Sequence, residues 1–323
     1  MLTRRSLAPL LAAFPSALAA QSTPVWNPDR PIRFLVGFAA GGSTDTTARV
    51  VAQAITAGMG QPVLVENRTG AAGNIASEYV ARSAPDGHTL VVGSMGTHAT
   101  NAALYRNMSF DVVRDFAPIS LVALSSSLVA LHPAQPFRRI SELIAFARAN
   151  PGKLNCGIAG AGSSQHFAAA TFEHAANVRF TQVSFRGGAP AMAELASGRI
   201  DLVFSPVVEA IELVRGGQVR ALAITRAQRS PQLPDLPTVA EDLPGYTFAS
   251  WLGVFAPAGT PAPIVERFSR EIAAAMRRPE VRARMEMLGY EAVGSTAEEF
   301  ATFQRAELPR VTEMVRISGA VVE

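Results

Sequence analysis

Cysteine and lysine are almost missing from this chain of 323 residues. Cys156 has no second cysteine to pair with, so an internal disulfide and paired-cysteine metal or redox motifs are excluded. It reads as a small apolar residue of the interior rather than a nucleophile. Lys153, the single lysine, lies in the turn Pro151-Gly-Lys-Leu154, which argues against a lysine-bound cofactor. Charge is sparse at 17%, and no Lys/Arg cluster with interleaved aromatics marks a nucleic-acid surface. The five histidines (His88, His98, His132, His166, His174) show no His-Glu-x-x-His spacing, so no metal site is expected. No cofactor is called for.

What is present begins with an export signal. Arg4 and Arg5 precede a short apolar run from Leu7 to Leu18, and Ala17-Leu-Ala19 fits the small-x-small cleavage rule. Residues 1–19 are read as a signal peptide cut before Ala20; the run is too short to span a bilayer. The arginine pair is compatible with twin-arginine export and with ordinary secretion. The expected location is the periplasm. Without Arg4 and Arg5, 27 basic residues face 26 acidic ones, so the mature chain is close to neutral. Its length and its 48% hydrophobic content suggest two domains with ample core.

The organising stretch runs from Phe34 to Ile55. Ile32 to Phe38 is a short apolar strand, Ala39 to Gly42 a small-residue loop, and Ser43 or Thr44 a candidate cap with Asp45 in the first helical turn. Free N–H groups at such a helix start make an anion site. The glycines match neither a P-loop nor a dinucleotide fingerprint. A tight turn without ligand and an anion site both remain open at this point.

The order continues as strand 62–66, loop 67–74, helix, strand 89–92 and polar loop 93–101, a βαβαβ pattern that predicts a parallel sheet. Two strands, 118–123 and 127–131, are predicted with a break at Ser125-Ser126, read as the first crossing between domains. Ser141 is expected to cap a helix through Ala149. The design strand, small-residue loop, helix returns at 154–164, at Gln182 to Pro190, and at Ile200 to Ser205-Pro206. Phe248 to Phe255 brings the chain back; Thr296 with Glu299 forms a capping box for the last helix. The predicted domains are 20–123 with 250–323, and 124–249. Loops at Gly41, Gly93, Gly162, Gly187 and Ser205 lie at the carboxyl ends of strands, where open α/β sheets bind ligands.

Several short motifs then fit together. They are Gly41-Gly-Ser-Thr-Asp45 with Ala48-Arg49, Glu66-Asn-Arg-x-Gly-Ala-x-Gly73, Pro85-Asp-Gly-x-Thr-Leu90 and Ala149-Asn-Pro-Gly-Lys-Leu-Asn155. Gly160-x-Gly-Ser163 with His166, Arg186-Gly-Gly-x-Pro-Ala191, Gly198-x-x-Asp201, Trp251-x-Gly253 and Ala256-Pro-x-Gly-Thr-Pro261 follow in order. Together they resemble the tripartite tricarboxylate transporter receptors, the Bug proteins, over essentially the whole mature chain.

The resemblance implies an α/β, two-domain periplasmic-binding-protein fold of the Venus-flytrap type II, with mainly parallel sheets and two inter-domain crossings. It implies a monomeric receptor that holds a small carboxylate in the cleft and hands it to integral-membrane transporter subunits, without catalysis. The loops 39–45 and 162–164 would grip one carboxylate. The expected ligand-binding set is Phe38, Ala40, Gly41, Gly42, Ser43, Thr44 and Asp45 on one side. Ser94 and Thr97 join them, with Gly162, Ser163, Ser164, His166, Arg186, Gly187 and Ser205 opposite. Phe38 is equally readable as core. Asp45 either receives a ligand amine or hydroxyl, which the resemblance favours, or simply sits at the helix start.

Departures are Ala39-Ala40 where many members have proline, Cys156 where an aromatic is common, and Phe185-Arg186 in place of Tyr-Lys. Arginine grips carboxylates bidentately, so an acidic distal ligand end is expected. Two rivals remain: a ligand-sensing partner of a signalling system, and an exported hydrolase using Ser163 or Ser164 with His166. The second lacks the Gly-x-Ser-x-Gly elbow. N-terminal sequencing of the exported protein should start at Ala20; a membrane-bound form that keeps Arg4-Arg5 would contradict the signal reading.

Overall fold

The computed structural model describes residues 26–105, 107–230 and 233–320. The expected signal segment 1–19 and its cleavage point lie outside them. The chain opens with β1 (Ile32–Val36), α1 (Ser43–Met59), β2 (Val63–Asn67), α2 (Asn74–Ala81) and β3 (Thr89–Ser94), the expected βαβαβ unit. A wide turn over Gly96–Thr100 leads into the short α3 (Asn101–Leu104), so the predicted loop 93–101 is largely helical. Then come β4 (Phe116–Leu131), α4 (Ile140–Ala149), β5 (Asn155–Ile158), α5 (Ser164–Ala176), β6 (Thr181–Ser184), α6 (Gly188–Ala196), β7 (Leu202–Pro206), α7 (Val207–Arg215) and β8 (Arg220–Ile224). The chain closes with β9 (Ala249–Pro257), α8 (Ala262–Met276), α9 (Pro279–Met287), β10 (Tyr290–Ala292) and α10 (Ala297–Ser318).

The expected break at Ser125-Ser126 is absent: β4 is one strand of 16 residues. Its first part pairs with β9 as far as Ser126, and from Ser127 onward it pairs with β7 and β8. Both serines keep ladder partners, Ser250 and Ala249, so polarity alone does not end a strand whose backbone is satisfied. β4 therefore belongs to two sheets, one with β1, β2, β3, β9 and β10, the other with β5, β6, β7 and β8.

Strand direction now decides where the loops go. β1, β2 and β3 are mutually parallel, β9 runs against β3, and β4 runs against β9. In the second sheet β7 runs against β4, with β5 and β6 parallel to β7. The two parallel sets hence point their carboxyl ends at each other across the middle of β4. Ser94 is level with Leu252 and, through it, with Ala123; Pro206 is level with Ser127. At about 3.3 Å per residue the two sets of ends are separated by roughly 13 Å along β4. Thr225 fastens the crossings beside this point. Its N–H donates to the Ser127 carbonyl (2.9 Å), and Ser127 N–H donates to its Oγ1 (2.9 Å). Its hydroxyl donates to the Phe248 carbonyl (2.7 Å), whose own N–H donates back to the Thr225 carbonyl (2.8 Å).

α10 covers β4 and also packs on α5, so it spans both sheets. Its Phe300 and Phe303 meet Trp251, each with ring centroids 5.9 Å away and nearly perpendicular. Trp251 is thus core and lines no cleft. His98 is interior as well: its ring stacks on Phe255 at 4.1 Å, and burial pushes its pKa down to about 3, so it is neutral.

Two caps differ from expectation. α1 is capped by Gly42 without a side-chain bond, because Ser43 and Thr44 are already helical. α4 starts at Ile140, and Ser141 instead gives its N–H and hydroxyl to Asp242 (3.0 and 3.1 Å). The box of Thr296 and Glu299 is present. α9 and β10 had no counterpart in the sequence reading.

Gly253 lies under the Phe300 ring, where a Cβ would approach to 2.1 Å. Gly253→Ala should overpack this layer and lower stability by about 1–3 kcal/mol. Urea unfolding measures it, and an unchanged midpoint would refute the packing argument.

Candidate functional site

The loop after β1 is shaped by close approach and then tied down. A Cβ on Gly37 would come within 2.5 Å of the Gly73 Cα, so only glycine lets these two loops touch. Gly41 takes the left-handed conformation (φ +83°) and delivers its N–H to Asp45 Oδ2 (2.9 Å). Arg49 Nε donates to the same oxygen (2.9 Å); Arg49 Nη2 (3.0 Å) and Asn67 Nδ2 (2.9 Å) donate to Oδ1. Asn67 also donates to the Phe38 carbonyl (3.0 Å), closing the ring of bonds. Burial opposes the charge of Asp45, but Arg49, Gly41 and Asn67 outweigh it and hold the carboxyl below its ordinary value.

Both oxygens of Asp45 have two donors and the residue is 2% exposed, so its carboxylate shapes the loop. Ala40, Gly41, Gly42 and Ser43 are exposed on the rim, Thr44 is buried, and the Phe38 ring is half-buried against Gly73.

The loop after β5 repeats the design with different atoms. Ser163 is the N-cap of α5, its Oγ accepting the His166 N–H (3.1 Å). Gly162, at φ +76°, donates its N–H to His166 Nδ1 (3.0 Å). Burial lowers the His166 pKa, against a backbone hydrogen bond to Ser318 that raises it. The ring is neutral with Nδ1 as acceptor, so it caps the loop. Gly162, Ser163 and Ser164 stay partly exposed.

Other expected contacts turn inward. Ser94 N–H donates to Thr97 Oγ1 (2.9 Å) and Thr97 N–H to Ser94 Oγ (3.2 Å), a reciprocal pair that shapes the turn after β3. Thr97 Oγ1 also bonds His98 Nδ1 (2.8 Å). Ser205 is fully buried and donates to Glu209 Oε2 (3.4 Å). The side chains of Ser94, Thr97 and Ser205 are thus engaged in hydrogen bonds within the protein. Arg186 is exposed before Gly187 (φ +119°) and α6, with no hydrogen bond or ion pair to the described residues.

Residues that sequence reasoning passed over fill the space between. Gln165 Nε2 donates to Glu209 Oε2 (2.9 Å), and burial pushes the Glu209 carboxyl up. From the other sheet, the buried Tyr290 phenol lies beside the Ser43 and Thr47 hydroxyls and close enough to Glu209 to feel its charge. Glu209 looked like an ordinary acid in a first helical turn, and Tyr290 sits on a strand of three residues with no readable period.

Residues 47–319 match the family model described as the tripartite tricarboxylate transporter family receptor. The chain belongs to this family. The receptor is 38% identical over 315 residues to a UPF0065 protein from Pseudomonas sp. (strain P51), covering 97% of this chain and 93% of that one. Among solved structures, an R. palustris protein with adipate shares 34% identity at a TM-score of 0.78, covering 91% of this chain and 99% of that one. MatC from Rhodopseudomonas palustris with bound malate shares 34% identity at 0.73, covering 89% and 99%. These receptors share the α/β two-domain periplasmic-binding-protein fold expected from the motifs. Among the described residues no helix is long and apolar enough to cross a membrane, and no three His, Cys, Asp or Glu side chains group as metal ligands.

In this receptor the loop bonds of Asp45 are testable. Asp45→Asn turns an amide N–H₂ toward donors and should cost about 1–3 kcal/mol. The folded-state pKa lies below the reference 3.8, so the wild-type advantage is full above that value and is lost as pH falls through the lower folded one. Urea unfolding of both proteins at neutral and acid pH checks this; a gap that persists at the acid end would refute it.

Proposed function

We propose that the protein is a periplasmic receptor that captures a small carboxylate between its two sheets and presents it to the membrane subunits of a tripartite tricarboxylate-type transporter. The observation that carries this reading is the convergence of two helix-start loops, one from each sheet, across the middle of β4. The N–H groups of Gly41, Gly42, Gly162 and Ser163 are spent on internal bonds that stiffen the loops, and those of Ser43 and Ser164, in the first turns of α1 and α5, are the ones a helix leaves unpaired. Family membership and the relatives solved with adipate and malate support the ligand class.

The gripping residues in this reading are Ala40, Gly41, Gly42 and Ser43 on one side and Gly162, Ser163 and Ser164 on the other, with Arg186 and Gly187 at the rim. Neutral dipoles do most of the holding, which suits reversible release. The domain division at 123/124 lies three residues before β4 passes from β9 to β7, and that at 249/250 lies at the start of β9, which favours two hinge crossings near these points. No catalytic step is assigned: His166 Nδ1 is occupied by Gly162, leaving Ser163 and Ser164 without a base. Export with removal of residues 1–19 and a monomeric state complete the proposal.

A thermal-shift screen of the mature protein against mono-, di- and tricarboxylates should find a binder that stabilises by about 2.7 kcal/mol at a hundredfold excess over its Kd. Small-angle scattering at saturation with that binder should show compaction. No shift with any carboxylate, or an unchanged radius on saturation, would sink the corresponding half of the reading.

A further inference from the structure

α2 is short, and it leaves part of its own sheet uncovered. It packs on β1, β3 and β9, where its Ala76 and Val80 join Leu35 and Val91 in one buried cluster. The edge strand β2 lies outside that cover. A groove of about 840 Å³ remains between α2 and β2, and it begins at Arg30 and His88, before β1 and β3 start. The ligand loops follow the opposite ends of those strands, so this groove is separate from the cleft.

Its lining is chemically uneven. Leu64 on β2 and Ile75 on α2 both line it, 52% and 48% exposed, two of the five large apolar side chains left exposed among the described residues. Arginines surround them. Arg33, level with Leu64 on β1, donates from Nη2 to the Tyr79 phenol (3.3 Å) and to Thr89 Oγ1 (3.0 Å). The Arg68 guanidinium lies over the Tyr79 ring, 3.7 Å from its centroid. Both cations share one carboxylate: Glu66 accepts from Arg68 Nε (2.6 Å) and stands 3.5 Å from Arg33 Nη1. Farther along, Arg82 has Glu78 (2.7 Å) and Arg30 has Asp86 (2.8 Å). One positive charge is therefore uncompensated, at the Arg33 and Arg68 end, beside Leu64.

The edge of β2 adds backbone groups. Ile32 N–H donates to the Pro62 carbonyl (2.9 Å), and Arg68 N–H donates to the Val36 carbonyl (2.8 Å). Even-numbered residues of β2 thus bond to β1, and Val65 turns its N–H and C=O outward, where no described strand lies. A free edge is a template for an extended chain. A small anion would satisfy the arginines and leave Leu64, Ile75 and the edge unused. An extended segment carrying an acid and an aliphatic residue uses all three.

We propose that the groove between α2 and β2 docks an extended acidic segment of a partner protein, with a carboxylate at Arg33 and Arg68 and an aliphatic side chain between Leu64 and Ile75. This is an interaction surface independent of what the cleft holds. Arg68 and Leu64 are its anchors.

Selection of random displayed heptapeptides on the mature protein tests it, with fluorescence polarisation to measure the enriched sequences. Enriched peptides should combine Asp or Glu with Leu, Ile or Val. Arg68→Gln removes the surplus charge while Glu66 keeps Arg33, and Leu64→Thr removes apolar surface but still favours a strand. Each should weaken binding about fivefold, the scale of one exposed ion pair or of part of a side chain returned to water. Raising the salt from about 0.05 M to about 0.5 M should weaken it again. Circular dichroism and melting establish that the variants fold; should one fail, the other decides. The inference is overturned if nothing is enriched, if the enriched peptides lack acids, or if either folded variant binds them as tightly as wild type. Sedimentation that shows a concentration-dependent dimer, dissolved by Leu64→Thr, would give the groove to a second copy of this chain and overturn it too.

Discussion

Antiparallel pairing along β4 is the constraint from which the rest of this receptor follows. A strand that runs against β9 on one stretch and against β7 on the next reverses the sense of the two parallel sets relative to each other. Their carboxyl ends must then face across the same few residues. In either sheet alone the loops after the strands would open to solvent; together they form two walls. The location of the site is a consequence of strand direction, before any side chain is considered.

Each wall is then stiffened by an acceptor from the first turn of its own helix. Asp45 does this with a carboxylate shared among Gly41, Arg49 and Asn67, and His166 does it with a neutral ring nitrogen facing Gly162. The solutions differ electrically. The first wall carries a fixed negative charge that is fully compensated, and the second carries none. In the first wall the Arg49 cation is tied to Asp45, and in the second no charge is used. The residues one would choose as ligand contacts from their type alone, Asp45, Thr97 and Ser205, are the ones spent on internal bonds.

Much of the fold was readable because period and punctuation agreed. The βαβαβ opening, the Ser163 helix start and the Thr296 capping box each rest on local signals a few residues long. The continuity of β4 was not readable, because Ser125 and Ser126 are polar and only their distant partners on β9 make them strand. α9 and β10 were missed for the related reason that a charged helix and a three-residue strand owe their form to what they pack on. The site was legible as two loops and illegible as a pocket. Whether a serine is free or consumed depends on a partner such as Glu209 four residues on, and Tyr290 reaches the same space from another sheet.

The two crossings are not separate strings. Ser125 and Ser126 on β4 face Ser250 and Ala249 on β9, and Thr225 clasps both chains just beyond. Mechanically this is a leaf spring: a two-stranded ribbon resists shear in its own plane and yields to twist and to bending out of it. The sheets are left with two soft coordinates, twist and out-of-plane bending, instead of a cone of orientations. If the sheets close over a ligand as proposed, a hinge of this kind would sample few open arrangements and surrender less orientational entropy on closing. Weak dipolar contacts can then suffice for capture.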